Sequence, residues 1–137
     1  GVHFQMTSIP WVANAEKEIA EVIWKDVKDA GFVPIETHFQ HVFHNPANER
    51  YPFIDTHVRA CTPRIETLMA LLGSCCAFVG VVSGNFHMAL SVLGPDRVML
   101  LERDLKASHF TKDKIATANL KDYKGEVKDF LKNFIKA

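Results

Sequence analysis

A chain of 137 residues with a 47% apolar share is the size of one domain and holds ample material for a core. Sixteen basic and sixteen acidic side chains cancel, so no net field draws the protein to nucleic acid or to an anionic membrane. No apolar run approaches the roughly 20 residues of a membrane span, and no secretory leader pattern opens the sequence. Three cysteines, Cys61, Cys75 and Cys76, are few and odd in number, and two are adjacent in a strand-like run. That arrangement builds no disulfide framework and predicts a reducing, cytoplasmic setting. The chain begins on an apolar extended segment without a start Met, which predicts a piece of a longer protein.

In chain order, residues 2–6 (VHFQM) predict a strand. Ala15, Ile19, Val22, Ile23, Val27 and Ala30 then recur at helical spacing, with Asn14 as N-cap and Gly31 just past the end. FVPIE (32–36) predicts a second strand that Pro34 confines to an edge or an early end. The polar, His-rich residues 37–52 read as a long loop, and 53–55 as a short third strand. Thr62 is the expected cap of a helix with Pro63 at its first position, an Ile65, Leu68, Met69, Leu72 stripe, and an end at Gly73. CAFVGVV (76–82) is apolar without alternation, as a central parallel strand covered on both faces must be. A short helix over 84–93 stops at Gly94-Pro95, RVMLL (97–101) is another buried strand, and 115–118 a last short one. Val127, Phe130, Leu131, Phe134 and Ile135 predict an amphipathic helix at the end.

Strands alternate with helices throughout residues 1–137, with no internal repeat. This order predicts one α/β domain, Rossmann-like, in three layers, with a mostly parallel sheet and helices on both faces. Ligands of such a sheet bind beyond the carboxyl ends of its strands. That rule directs attention to VVSGNFHMA (81–89), where the polar atoms of Ser83, Asn85 and His87 need partners between two apolar elements. Ser83 caps the helix, Gly84 allows close approach of a ligand, and the first-turn N–H groups favour an anion such as a phosphate. A neutral His87 is expected one turn in, because the positive helix end opposes an imidazolium. The other strand ends place Thr7 and Ser8, Glu36, His57 and Glu102 on the same rim. Spacing alone leaves open a plainer alternative, in which Ser83 is only a cap and His87 a structural histidine.

The run from Thr62 to Leu101, with ALLGSCCAFVG, SGNFHMAL, a Gly-Pro turn and VMLL, resembles the C-terminal half of GT-B glycosyltransferases. The nearest likeness is to the lipopolysaccharide heptosyltransferase family, whose turn carries Ser or Thr, Gly, two variable residues, His and a small-residue helix. Ser83, Gly84, His87 and Ala89 match it residue by residue, and GVHFQMTS followed by Trp11 is similar to the start of that family's nucleotide-binding domain. The resemblance implies binding of a nucleotide diphosphate sugar at a rim formed by Thr7, Ser8, Ser83, Gly84 and His87, with Ser83 and Gly84 at the diphosphate and His87 beside the donor. It also implies a separate N-terminal domain that holds a glycan or lipid-linked acceptor and supplies the catalytic base. Val82 stands where the family has an acid, and Glu102-Arg103-Asp104 where it has a Gly-Pro-Thr type of loop. The alternative reading is therefore a non-catalytic module that kept the fold and lost the donor chemistry.

His38, His41 and His44 lie three apart, but no Cys-x-x-Cys or His-Glu-x-x-His accompanies them, so no metal site is expected. Gly-x-Gly-x-x-Gly is absent after the first strand, as is a Gly-x-Ser-x-Gly elbow. Neither a dinucleotide cofactor nor a serine hydrolase is expected. Cys75-Cys76 reads as buried packing, and the lysines from Lys121 to Lys136 as a solvated face.

Overall fold

Among the described residues six short strands pair side by side, all in parallel, and helices fill both faces of the sheet they form. The structure is a computed structural model that describes residues 1–3, 17–39, 53, 59–62, 64–81, 84–102 and 115–135. Its strands are β1 (Val2–His3), β2 (Glu36–Phe39), β3 (Arg59–Thr62), β4 (Phe78–Val81), β5 (Val98–Glu102) and β6 (Ala116–Asn119). The helices are α1 (Lys17–Asp29), α2 (Ile65–Ser74), α3 (Gly84–Leu93) and α4 (Glu126–Leu131). The strand order is β3-β2-β1-β4-β5-β6. The chain thus winds outward from β1 to β3, returns to the centre at β4, and winds outward the other way. This is a Rossmann-like α/β fold.

Period-two alternation divides the core into two layers. Met99 and Leu101 of β5 and Val79 and Val81 of β4 face α1 and α4, where Ile23, Trp24, Val27, Val127 and Phe130 meet them. Phe78, Val98 and Leu100 face the other way, onto Leu68 and Leu72 of α2 and Phe86, Ala89 and Leu93 of α3. All of β4 and β5 is buried, which explains their unbroken apolar sequence. Their position next to the centre of the sheet demands it.

Several local expectations change in the tertiary context. The second strand starts at Glu36 and is interior, between β1 and β3. Pro34 lies ahead of it and removes no ladder donor, and pairing opens with the Val2 amide donating to the Ile35 carbonyl at 2.8 Å. The third strand is residues 59–62, while Phe53 is in a turn. Thr62 is held in that strand opposite Phe39, so Arg64 takes the cap position, extended and without a side-chain cap bond. Gly73 does not end α2. The helix continues to Ser74, whose hydroxyl donates back to the Ala70 carbonyl at 2.7 Å.

Cys75 and Cys76 stand between α2 and β4 rather than within a strand, Cys75 half-buried and Cys76 exposed, so the expectation of buried packing fails for Cys76. The last helix tightens into a 3-10 turn over Lys132–Phe134, and that change of pitch leaves Ile135 exposed instead of completing the apolar stripe. Gly31 behaves as expected. Its φ is 93°, its amide donates to the Lys28 carbonyl and that of Phe32 to the Val27 carbonyl, the paired bonds of a Schellman end.

Candidate functional site

The strand order reverses between β1 and β4, whose ends cannot both be covered by the same crossover, and a crevice results at their carboxyl ends. Helix α3 begins there, with Gly84 as its first residue, three positions after the end of β4. Its seating on the sheet comes from Phe86, which is fully buried and packs its ring at 6.2 Å from that of Phe78. Phe86, Ala89 and Leu93 recur at helical spacing toward the core, so His87 is carried to the exposed side of the first turns. Exposure suits a group that meets a ligand, and the His87 ring also meets that of Phe86 edge-on at 6.3 Å.

Glu102 ends β5, at the rim where it was expected, and is 4% exposed. Glu36 is not at the rim. The register sets it level with Val2, Val79 and Met99, three residues or about 10 Å short of Glu102 along the strands. It begins its strand where the sequence had it ending one, and it is fully buried within the sheet. Thr7, Ser8, His57 and Ser83 lie outside the described residues, as do His41 and His44. Of the expected site, the structure therefore brings Gly84, His87 and Glu102 to one end of the sheet and removes Glu36 from it.

One residue at this end has polar atoms that the sequence already marks as needing partners, though it is not among the expected site residues. Asn85, in the first turn of α3, is 6% exposed, and its side-chain oxygen has no hydrogen-bond partner among the described residues. The signal lay in its spacing. Asn85 precedes Ala89 by four residues and so shares the apolar face of the helix, where a polar side chain is out of place unless something is bound.

The opposite end of the sheet offers a contrast. A cleft of about 160 Å³ opens at the amino ends of the strands, lined by Val2, Phe32, Pro34, Leu71, Cys75 and Ala77 among others. It is mostly apolar. Arg97 closes the neighbouring turn, donating through Nη2 to the Cys75 carbonyl at 2.7 Å and through Nε to the Cys76 carbonyl at 2.9 Å. Among the described residues no three His, Cys, Asp or Glu side chains converge as a metal ion requires, and no helix is long and apolar enough to cross a membrane. No protein-family model, curated protein or solved structure matches the chain.

Proposed function

We propose that this chain is the donor-binding half of a GT-B type glycosyltransferase, taking a nucleotide diphosphate sugar at the carboxyl ends of β1 and β4. The observation that carries the reading is the reversal of strand order at β1 and β4, with the N-terminus of α3 standing in the crevice. A ten-residue helix presents its first-turn N–H groups and the positive end of its dipole there, and both favour a diphosphate. Preorganised N–H donors stabilise the charge that builds on a leaving diphosphate, without a metal. The likeness of Ser83, Gly84, His87 and Ala89 to the heptosyltransferase turn adds the sugar to the nucleotide.

On this reading the acceptor, a lipopolysaccharide or related glycan, is held by a second, N-terminal domain that also supplies the catalytic base. The thiols of Cys75 and Cys76, both free, suit a cytoplasmic home. Val82, in place of the family's acid, favours a second reading, a module that keeps the fold and no longer handles a donor. A thermal-shift screen against nucleoside diphosphates and their sugars separates the two, since a ligand that binds only the folded state raises Tm. A selective rise with one nucleotide supports the donor half and names its base. No rise with any of them at millimolar concentration moves the reading to the module.

A further inference from the structure

The carboxyl rim carries a feature that a phosphate site does not explain. Both carboxylate oxygens of Glu102 and the amide oxygen of Asn85 are buried and have no hydrogen-bond partner among the described residues. Two independent placements bring these side chains into one layer. Alternation along β5 sends Glu102 to the same face as Val98 and Leu100, and helical spacing puts Asn85 above Ala89 on the side of α3 that packs against that face. Glu102 ends β5, and Asn85 stands in the first turn of α3, the helix that follows the neighbouring strand β4, so both lie at the carboxyl end of the sheet.

All three atoms can accept hydrogen bonds, and buried acceptors are rarely left without donors because the desolvation is uncompensated. Elsewhere the fold supplies donors even to half-buried acceptors. Glu126 accepts from the amides of Asn119 and Lys124, and the Asn119 side chain accepts from those of Lys121 and Asp122. The missing partner at the rim must therefore bring donors. A second anion is excluded by charge, and a cation is disfavoured beside the positive end of α3, which itself favours the carboxylate. Neutral donors remain, and among them two adjacent hydroxyl groups match the two oxygens of a carboxylate.

We infer that Glu102 and Asn85 form a hydroxyl-binding pocket that takes the vicinal hydroxyls of a sugar. The inference rests on the donor-binding reading for the identity of its ligand. The hydroxyls belong either to the ribose or to the transferred sugar. The pocket lies toward β5, one strand or about 4.8 Å from β4, so the diphosphate over the β1 and β4 crevice and the hydroxyls over β5 occupy separate places.

The experiment compares the parent chain with Glu102→Gln and Glu102→Leu. Without ligand, Glu102→Leu is expected to raise Tm by a few degrees, because a buried acceptor without a partner is replaced by an apolar side chain. A fall in Tm means that the fold itself holds the carboxylate, and overturns the pocket. Calorimetry with the nucleoside diphosphate found in the screen, its 2′,3′-dideoxy analogue and its nucleotide sugars then names the source.

Ribose is the source if the dideoxy analogue binds the parent roughly ten- to hundredfold more weakly and Glu102→Gln abolishes the difference. The transferred sugar is the source if the nucleotide sugar outbinds the diphosphate in the parent alone. Equal affinities of parent and Glu102→Gln for every probe overturn the pocket while the nucleotide reading stands. A Tm rise with D-ribose or D-glucose, lost in Glu102→Leu and unaccompanied by any nucleotide response, keeps the pocket and overturns the nucleotide reading. Binding that requires Mg2+ in the parent and not in Glu102→Gln assigns the carboxylate to a cation and overturns the hydroxyl pocket, as does the absence of any response.

Discussion

Tyr123 and Arg97 each hold two parts of the chain together through a few polar atoms. The Tyr123 hydroxyl donates to Asp26 Oδ2 at 2.6 Å, across 97 positions of sequence, and ties the segment before α4 to the polar side of α1. Burial first, and then the hydrogen bond to the Asp26 carboxylate, raise the phenol above its ordinary range. Because its folded pKa exceeds the unfolded one, Tyr123 leaves stability intact below about pH 10 and removes it progressively as pH rises further. Tyr123→Phe should cost about 1 kcal/mol at pH 7 and lose less between pH 9 and 11 than the parent, as read from urea midpoints. A parent and variant that decline in parallel would show that the hydroxyl is not the group responsible. Arg97 uses two of its guanidinium nitrogens on the carbonyls of Cys75 and Cys76, so Arg97→Ala should lower stability by about 1–2 kcal/mol. Lysine has no fork, and Arg97→Lys should recover less than half of the loss. His87 lies on the exposed side of α3, so His87→Ala should weaken nucleotide binding without unfolding the domain, and an equal affinity would remove His87 from the site.

At the scale of elements, helix ends and ring contacts decide the geometry of the rim. Gly31 ends α1 with φ at 93°, and a Cβ built there meets nothing within 4 Å. Gly31→Ala therefore carries only the backbone strain of the left-handed region, a loss of about 1–2 kcal/mol, and Gly31→Asn should cost less. Phe86→Ala is the harsher change. It empties the contact between α3 and Phe78 at full burial and should cost about 3–5 kcal/mol in a denaturation experiment, with nucleotide binding weakened in step because α3 carries the N-terminal donors. Local pattern made α3 readable with correct bounds, since Phe86, Ala89 and Leu93 form its stripe and Gly94, at φ 85°, stops it. It failed at α2, where Thr62 has good capping chemistry and is nevertheless taken by the β3 ladder opposite Phe39. A strand bond made across the sheet outranks a cap made within the helix, and only the first depends on residues far away.

For the whole molecule the two ends of the sheet differ in kind. The carboxyl end gathers Gly84, Asn85, His87 and Glu102, while the amino end holds an apolar cleft near Pro34 and Cys75. Amide chemical shifts should therefore move at Gly84, Asn85, Glu102 and Leu120 when a nucleotide is added, and stay still at Ile35 and Cys76. The reverse distribution would place the ligand at the amino end and end the donor-binding reading. The sequence by itself determined the class of the fold. Alternating strand and helix patterns, with unbroken apolar runs at 76–82 and 98–101, leave few architectures besides a parallel sheet covered on both faces. Only the tertiary structure decided that β2 is an interior strand starting at Glu36, that Glu36 is level with Val2 and Glu102 about 10 Å beyond, and that Asn85 and Glu102 share one buried layer. Periodicity is a property of neighbours along the chain, whereas strand order, register and the company a buried carboxylate keeps are set by pairings between residues tens of positions apart.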